Sequence, residues 1–377
     1  MFPCHNRYFL PLTQWSHIHQ DNDESIFMQS DLISNAVSSQ RLSEKRRWSV
    51  ISILLIILTF SFVLDIVTGP SLLNVKDVAN ALLNLLGFPV EVDATTQVIV
   101  SNLRLPIAIM AIVVGGVLGV GGAEMQTLLN NSMASPYTLG MAAAAGFGAA
   151  LMLYFGSLGI NTNIAVPLGA FICCMLAATF LFALATMRHI SSGQLILAGI
   201  ALLFLFQSLL SLVQFISSPE LSQQILFWLF GSLSKASWSN LSIIIGVTVV
   251  CMFFLIRDAW KLTALRLGEE RAKSLGVNIT QLRLRTLLIV AVMTATVTSF
   301  VGIIGFVGIV APNIAKMLVG EDQRFFLPLS FIIGAFLLSS ASVLSKVIVP
   351  GALFPIGIVT AIIGVPFFFW LILGKRR

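Results

Sequence analysis

Charged side chains are scarce in this 377-residue chain: Asp, Glu, Lys and Arg make up 10% of it, where a soluble domain carries about a quarter. With 57% hydrophobic residues and a mean hydropathy of +0.95, that scarcity excludes an ordinary water-soluble globule. Other absences narrow the field. No G-x-x-x-x-G-K-[ST] run occurs, so the chain has no P-loop to cradle nucleotide phosphates. The cysteines Cys4, Cys173, Cys174 and Cys251 form no C-x-x-C pair, and three of them sit in apolar runs, where packing is the default reading. Carboxylates and histidines do not recur in mid-span, which argues against a proton relay, although a single carboxylate can serve an ion-coupled carrier. No period-2 alternation with aromatic girdles appears, so a transmembrane β-barrel is disfavoured. Polar catalytic groups do not gather at one depth, which disfavours a membrane-embedded enzyme.

What the chain does have is a series of apolar runs, each near the roughly 20 residues that cross a bilayer. They fall near 49–68, 107–128, 137–156, 164–186, 194–216, 240–256, 284–302, 304–319, 327–349 and 355–373, which predicts an all-α polytopic membrane protein of about ten transmembrane helices. Lys and Arg concentrate in cytoplasmic loops. Arg41, Lys45, Arg46 and Arg47 precede the first run, Lys375, Arg376 and Arg377 end the chain, and Arg257, Lys261, Arg266, Arg271, Lys273, Arg283 and Arg285 crowd one loop region. An even span count puts all three on one side, so both termini and that loop are expected in the cytoplasm. The net charge of +6 is then a topology signal and not a nucleic-acid footprint. Residues 1–47 are polar and lack a signal-peptide pattern. They read as a cytoplasmic tail, disordered or lying upstream of a true start at Met28, before a single ten-helix transmembrane domain over 48–377. The pair His17 and His19 in that tail is a weak metal signal, and no metal site is expected.

The stretch Leu265–Ile279, "LRLGEERAKSLGVNI", stands out by its charge. Leu265, Gly268, Ala272 and Leu275 recur at helical spacing as one small apolar face. Glu269 precedes Lys273 by four and Glu270 precedes it by three, both favourable ion-pair spacings. Gly276 sits where a left-handed residue ends a helix. A short amphipathic helix follows. It could lie on lipid headgroups, but mixed acids and bases over a small apolar face suit a partner protein's groove better than a bilayer surface.

"LGEERAKSLGVN" resembles the coupling segment of FecCD-type (BtuC-like) permeases, the membrane subunits of ABC importers for iron–siderophore, haem and cobalamin. In the same order, 103–151 is similar to that family's R-L-P-R, G-A-x-x-Q and N-P-L-A-x-P-x-x-L-G run, and "FWLFGSLSKASW" (227–238) to its W-x-x-G-S-L segment. Residues 302–328 and 354–372 resemble its last third. The resemblance covers about 49–377 and implies a type II ABC importer permease with ten helices per subunit. It also implies pairing with a second permease copy or a paralogue, two ATPase subunits that hold the ATP and Mg on the cytoplasmic side, and an extracytoplasmic substrate-binding protein. The chain itself is expected to carry no cofactor and no catalytic residue. Coupling would rest on Arg266, Glu269, Glu270, Arg271, Ser274, Leu275 and Gly276. Arg104 aligns with the first basic position of R-L-P-R and Lys346 with another outer basic position, so both would dock the binding protein; the second basic position is Ile107 here. Further departures are Ser132 for the proline of N-P-L-A, Asn313 after Pro312 where a histidine is common, and Leu353 for an acid.

Path or gate candidates are Glu124 near the cytoplasmic end of the second span, with Asn130 or Asn131 as partners, Gln126 at the family's recurrent glutamine, and Phe204 and Gln207 in mid-span. For these the competing reading is structural pairing with neighbouring helices. Gly115 and Gly119 form a G-x-x-x-G and 140–150 is almost wholly small, suited to close helix packing or to a sliding surface. The segment after Pro219 resembles a short extra gating helix. The expected activity is import of a ferric siderophore across the bacterial inner membrane, with haem, cobalamin or molybdate as alternative cargo and ion-coupled secondary transport as the alternative class.

Overall fold

A computed structural model describes residues 44–69, 73–186, 192–348 and 354–374. The polar stretch before Glu44, with Cys4, His17 and His19, lies outside them, as do Leu353 and the basic residues 375–377. The chain divides into two units, 1–52 and 53–377. Of the first, residues 44–52 are described and are helical; every contact below belongs to the second.

Among the described residues all regular structure is helical. Seven helices are long and apolar enough to cross a membrane. They are α1 (Glu44–Val67), the continuous rod Ala94–Leu129, α6 (Thr162–Thr186), α7 (Ser192–Ile216), α9 (Trp238–Arg266), α11 (Ile279–Val301) and α13 (Gln323–Ile348). The rod comprises α3 (Ala94–Ile99), a π-helical turn (Val100–Arg104) and α4 (Leu105–Leu129). Three shorter apolar helices complete the set: α5 (Met141–Tyr154), α12 (Val307–Val319) and α14 (Ile356–Gly374). The polytopic expectation holds, with spans close to those read from hydropathy. Two short helices, α2 (Val75–Leu85) and α8 (Pro219–Leu229), lie between spans, and α10 (Glu269–Ser274) lies between α9 and α11.

Local chemistry explains where the helices start and stop. Asp93 accepts from the N–H groups of Thr95 and Thr96 at 3.1 and 3.2 Å and so caps α3. Ser218 caps α8, whose first residue is Pro219, a position where the missing N–H costs nothing. Ser237 and Asn278 cap α9 and α11. Asn130, with φ 46°, ends α4 in the left-handed conformation that Asn tolerates.

The middle of the bundle is α4, buried along most of its length. Lipid supplies little hydrophobic drive between helices, so close approach through small residues has to do that work. A methyl group placed on Gly115 or Gly119 would collide with the backbone of Gly334 or Ser330 on α13, and one on Gly122 with the backbone of Gly308 on α12. Gly148 of α5 and Gly169 of α6 make a second such seam. The small residues of α4 and α5 are thus spent on tight packing in this conformation. Leucines, valines and methionines of α4, α9, α11 and α13 fill the main core. A second cluster joins Met125 and Leu128 to Leu262, Leu265, Ala272 and Val277 at the end that carries α10.

Candidate coupling site and polar groups of the bundle

The segment between α9 and α11 is built by two glycines. Gly268, at φ 108°, breaks the helix after Leu267, and α10 then runs for six residues. A Schellman motif ends it: Gly276, at φ 81°, donates to the Lys273 carbonyl at 2.9 Å, and Val277 donates to the Ala272 carbonyl at 3.0 Å. Ala272 and Val277 are buried in the lower core cluster, so the turn is anchored from beneath. Its outer surface is open. Leu267 and Leu275 are 56% and 52% exposed, and Glu269, Glu270, Arg271, Lys273 and Ser274, between them in the chain, are exposed too.

Three details differ from the sequence reading. The continuous apolar face does not form: Leu265 and Ala272 point inward, whereas Gly268 breaks the helix and Leu275 faces out. Glu269 does not pair with Lys273; it reaches Arg283 of α11 at 2.6 Å, and Lys273 pairs with Glu270 at 3.1 Å. Arg266 is not on the exposed face. Its side chain is 8% exposed, 3.5 Å from Glu321 and donating to Asn130 Oδ1 at 3.3 Å. Leu267 was missed, because a helix drawn through Gly268 places it on no particular face. Glu321 also bonds Lys316. Burial alone would raise its pKa, but the Lys316 hydrogen bond and the charges of Arg266 and Lys316 win and hold it below the ordinary carboxylate value.

Above this turn the bundle holds buried polar groups. Glu124 is fully buried, and neither of its carboxylate oxygens is hydrogen-bonded. The partners expected for it are occupied elsewhere, Asn130 by Arg266 and Asn131 by the Met133 N–H at 2.9 Å. Arg266 and Asp258 are the charges acting on it. Gln126 points to α12, where its amide reaches the Ile309 carbonyl only at the 3.5 Å limit. Gln323 donates to Thr127 at 2.7 Å, and Asn313 donates to the Ser132 carbonyl at 3.0 Å, tying the loop after α4 to α12. Asp258 is a buried acid that the hydropathy reading left beyond its span; Lys261 at 2.9 Å and Arg285 at 3.2 Å compensate it.

At the opposite end, Arg104 and Lys346 are 4% and 6% exposed. Lys346 Nζ lies 2.6 Å from Asp65 Oδ1 and 2.7 Å from the Asp65 carbonyl, and Ser342 donates to the same carboxylate at 2.8 Å. Arg104 donates to the carbonyls of Ile66 and Val67 at 3.1 and 2.7 Å, closing the end of α1. In this conformation both cations face inward, where desolvated charge needs a partner.

On α7 the described residues leave uncovered a face where polar side chains stand among large apolar ones such as Phe204 and Phe215. Phe204 and Gln207 are exposed, and so are Ser208 and Ser211. An amide and two hydroxyls in mid-span do not suit lipid and mark a wet or protein-covered surface. The i, i+1 and i+4 spacing from Gln207 was the signal for the two serines.

A model of the FecCD transport family matches residues 55–374. An ABC transporter permease protein of Methanocaldococcus jannaschii is 34% identical over 334 residues, covering 86% of this chain and 94% of that one. The hemin transport system permease of Yersinia pestis is 35% identical over 278 residues, 73% of this chain and 83% of its own. Among solved structures, a metal-chelate type ABC transporter in an inward-facing conformation is similar with a TM-score of 0.75 at 27% identity, covering 86% of this chain and 99% of that chain.

Proposed function

The chain belongs to the FecCD transport family and is the permease of an ABC importer, and on that premise we propose that its cargo is a ferric siderophore, carried inward across a bacterial inner membrane. The carrying observation is the α10 turn: a capped, core-anchored element with two exposed leucines flanking a run of mixed charge. Such a surface fits a cleft on an ATPase subunit. Glu269, Glu270, Arg271, Ser274, Leu275 and Gly276 would enter the cleft, with Leu267 beside them and Arg266 bracing from behind. ATP and Mg would belong to that partner. Closure of a pair of ATPases would move two such turns together and tilt the bundles as rigid bodies. The turn would face the cytoplasm, with both termini, in keeping with the excess of Lys and Arg there.

The path would run between this chain and a second permease, along the α7 face of Phe204, Gln207, Ser208 and Ser211. That face offers amide and hydroxyl groups and no charge, so it would hold a chelate weakly and release it easily. Glu124 and Gln126 would belong to the inner gate. A haemin permease among the relatives and a metal-chelate transporter among the solved structures support a bulky metal complex; the Gln207 amide and the Ser208 and Ser211 hydroxyls beside Phe204 support a chelate with both polar and apolar surface. An extracytoplasmic binding protein would meet the opposite end, and Arg104 and Lys346 would join that contact by leaving their present ties.

Uptake of radiolabelled ferric chelates, haemin, cobalamin and molybdate in cells deleted for this chain tests the cargo. Loss confined to one class of ferric siderophore, restored by the intact chain, is the expected result. Unchanged ferric uptake with loss of haemin, cobalamin or molybdate uptake refutes the siderophore assignment.

A further inference from the structure

Two clefts open along the seam between α6 and α11. The outer one, about 320 Å³, lies at the end opposite the coupling turn. Lys235, Asn163 and Asn240 line it with the hydroxyl-bearing Thr162, Ser237 and Ser299, and no acidic residue is among its lining. The second, about 140 Å³, is apolar and lies further along the same two helices, between Met175, Ala178 and Phe182 on one side and Leu287, Leu288 and Ala291 on the other. At the rise of an α-helix the two are about 15–20 Å apart, close to the depth of one leaflet, half of a hydrocarbon core of about 30 Å. Pro167, Phe171, Met175, Ala178 and Phe182, spaced at three to four residues, place one face of α6 along the whole interval.

The adjoining surface says what covers this seam. Ile164, Leu168, Ile172, Leu176 and Phe180 form an exposed stripe on α6 at i, i+4 spacing. Helix–helix contacts inside a membrane favour small residues, and this stripe is uniformly large, so it faces acyl chains and not another helix. A polar, cationic cleft at the mouth, an apolar cleft one leaflet deep and a lipid-facing flank together have the polarity profile of a glycerophospholipid. We propose that the α6–α11 seam is a phospholipid site. The phosphate sits at Lys235 among the Asn163 amide and the neighbouring hydroxyls, and one acyl chain follows Phe171 and Met175 into the apolar cleft. Trp228, at the end of α8, also lines the outer cleft, so a bound lipid bridges α8 to α6 and α9.

Native mass spectrometry of the purified, delipidated transporter complex tests this, with dioleoyl-phosphatidylglycerol, dioleoylglycerol or inorganic phosphate added in turn. The expected result is one tightly retained phosphatidylglycerol per chain, weakened about tenfold by Lys235→Ala and lost with Leu288→Trp, whose exposed position fills the apolar cleft without entering the core. Dioleoylglycerol and phosphate alone should be retained poorly. Unchanged phosphatidylglycerol retention in both variants overturns the proposal. So does equal retention of dioleoylglycerol, which removes the headgroup site. Tight phosphate binding unaffected by Leu288→Trp makes the cleft a free-anion site, and dissociation of the permease pair by Leu288→Trp with lipid retention intact makes the seam a contact with a second copy; each of these also overturns it.

Discussion

Replacing Lys346 with Met separates two roles for the cations at the end opposite the coupling turn. In the structure Lys346 and Asp65 form a pair whose side chains are 3% and 0% exposed, at 2.6 Å. Removing one member of a buried pair leaves the other charge uncompensated, which costs about 3–5 kcal/mol. Lys346→Met and Asp65→Asn should each therefore destabilise the folded permease by that amount. The double variant removes both charges and should recover most of the loss. It does not recover all, because the Asp65 carbonyl loses its lysine donor at 2.7 Å, and an unsatisfied buried group costs about 1–3 kcal/mol. The cycle thus predicts single losses near 4 kcal/mol, a double loss near 2 kcal/mol, and strong favourable coupling between the two residues. Unfolding of the purified permease in mixed micelles with increasing SDS, followed by tryptophan fluorescence, measures all four proteins. If Lys346→Met costs less than about 1 kcal/mol yet abolishes stimulation of ATPase activity by the binding protein, the buried pair is not structural, and Lys346 acts as an outer docking residue.

Other measurements test other parts of the molecule. Leu267→Glu with Leu275→Glu, or Glu269, Glu270 and Arg271 all to Ala, should abolish ATPase co-purification while leaving the permease monodisperse; retained co-purification sinks the coupling assignment. Gly119→Leu should strip the permease of fold at the α4–α13 seam, where overpacking alone costs about 1–3 kcal/mol and a backbone collision adds to it, so loss of a monodisperse peak on size-exclusion chromatography is expected. Glu321 has a lowered pKa in the folded state. Its contribution should be complete above the ordinary carboxylate value of about 4.5 and fade as pH drops further, and Glu321→Gln should flatten the pH dependence of thermal unfolding in that range. An identical acid limb in the variant refutes that contribution.

The spans were legible because length and hydropathy are local: in lipid every backbone polar group must be satisfied within its own helix, and the sequence marks each such helix by its apolar run. The charged turn at α10 was legible for the opposite reason, as five charges in a chain that has few. Its Gly276 stop followed from the left-handed conformation that position needs. What was not legible depended on partners distant in sequence. Asp65 and Lys346 are 281 positions apart, so the buried pair that Lys346 forms in this conformation was not visible beside its expected docking role. The Glu269–Arg283 contact hides in the same way behind the nearer Lys273. Leu267 and Asp258 were missed at boundaries: one lies beside a glycine that breaks the helix, the other just beyond the run that hydropathy marks. The serines of α7 were open to reading, since polar groups in a span are periodic, but only burial shows that nothing among the described residues covers them.

The Arg266 guanidinium has a consequence for how movement enters the bundle. It closes α9 just before the turn, touches Asn130 at the end of α4 and lies against Glu321 between α12 and α13. Three helix ends therefore meet at this side chain, beside the Gln323 bonds to Thr127 of α4 and Thr263 of α9. A push on the turn would pass through these contacts to the buried central rod and to the α12–α13 corner, with Lys346 at the far end of α13. On that layout Arg266→Gln should leave ATPase co-purification intact while lowering substrate uptake per ATP hydrolysed in reconstituted vesicles; unchanged coupling refutes this route.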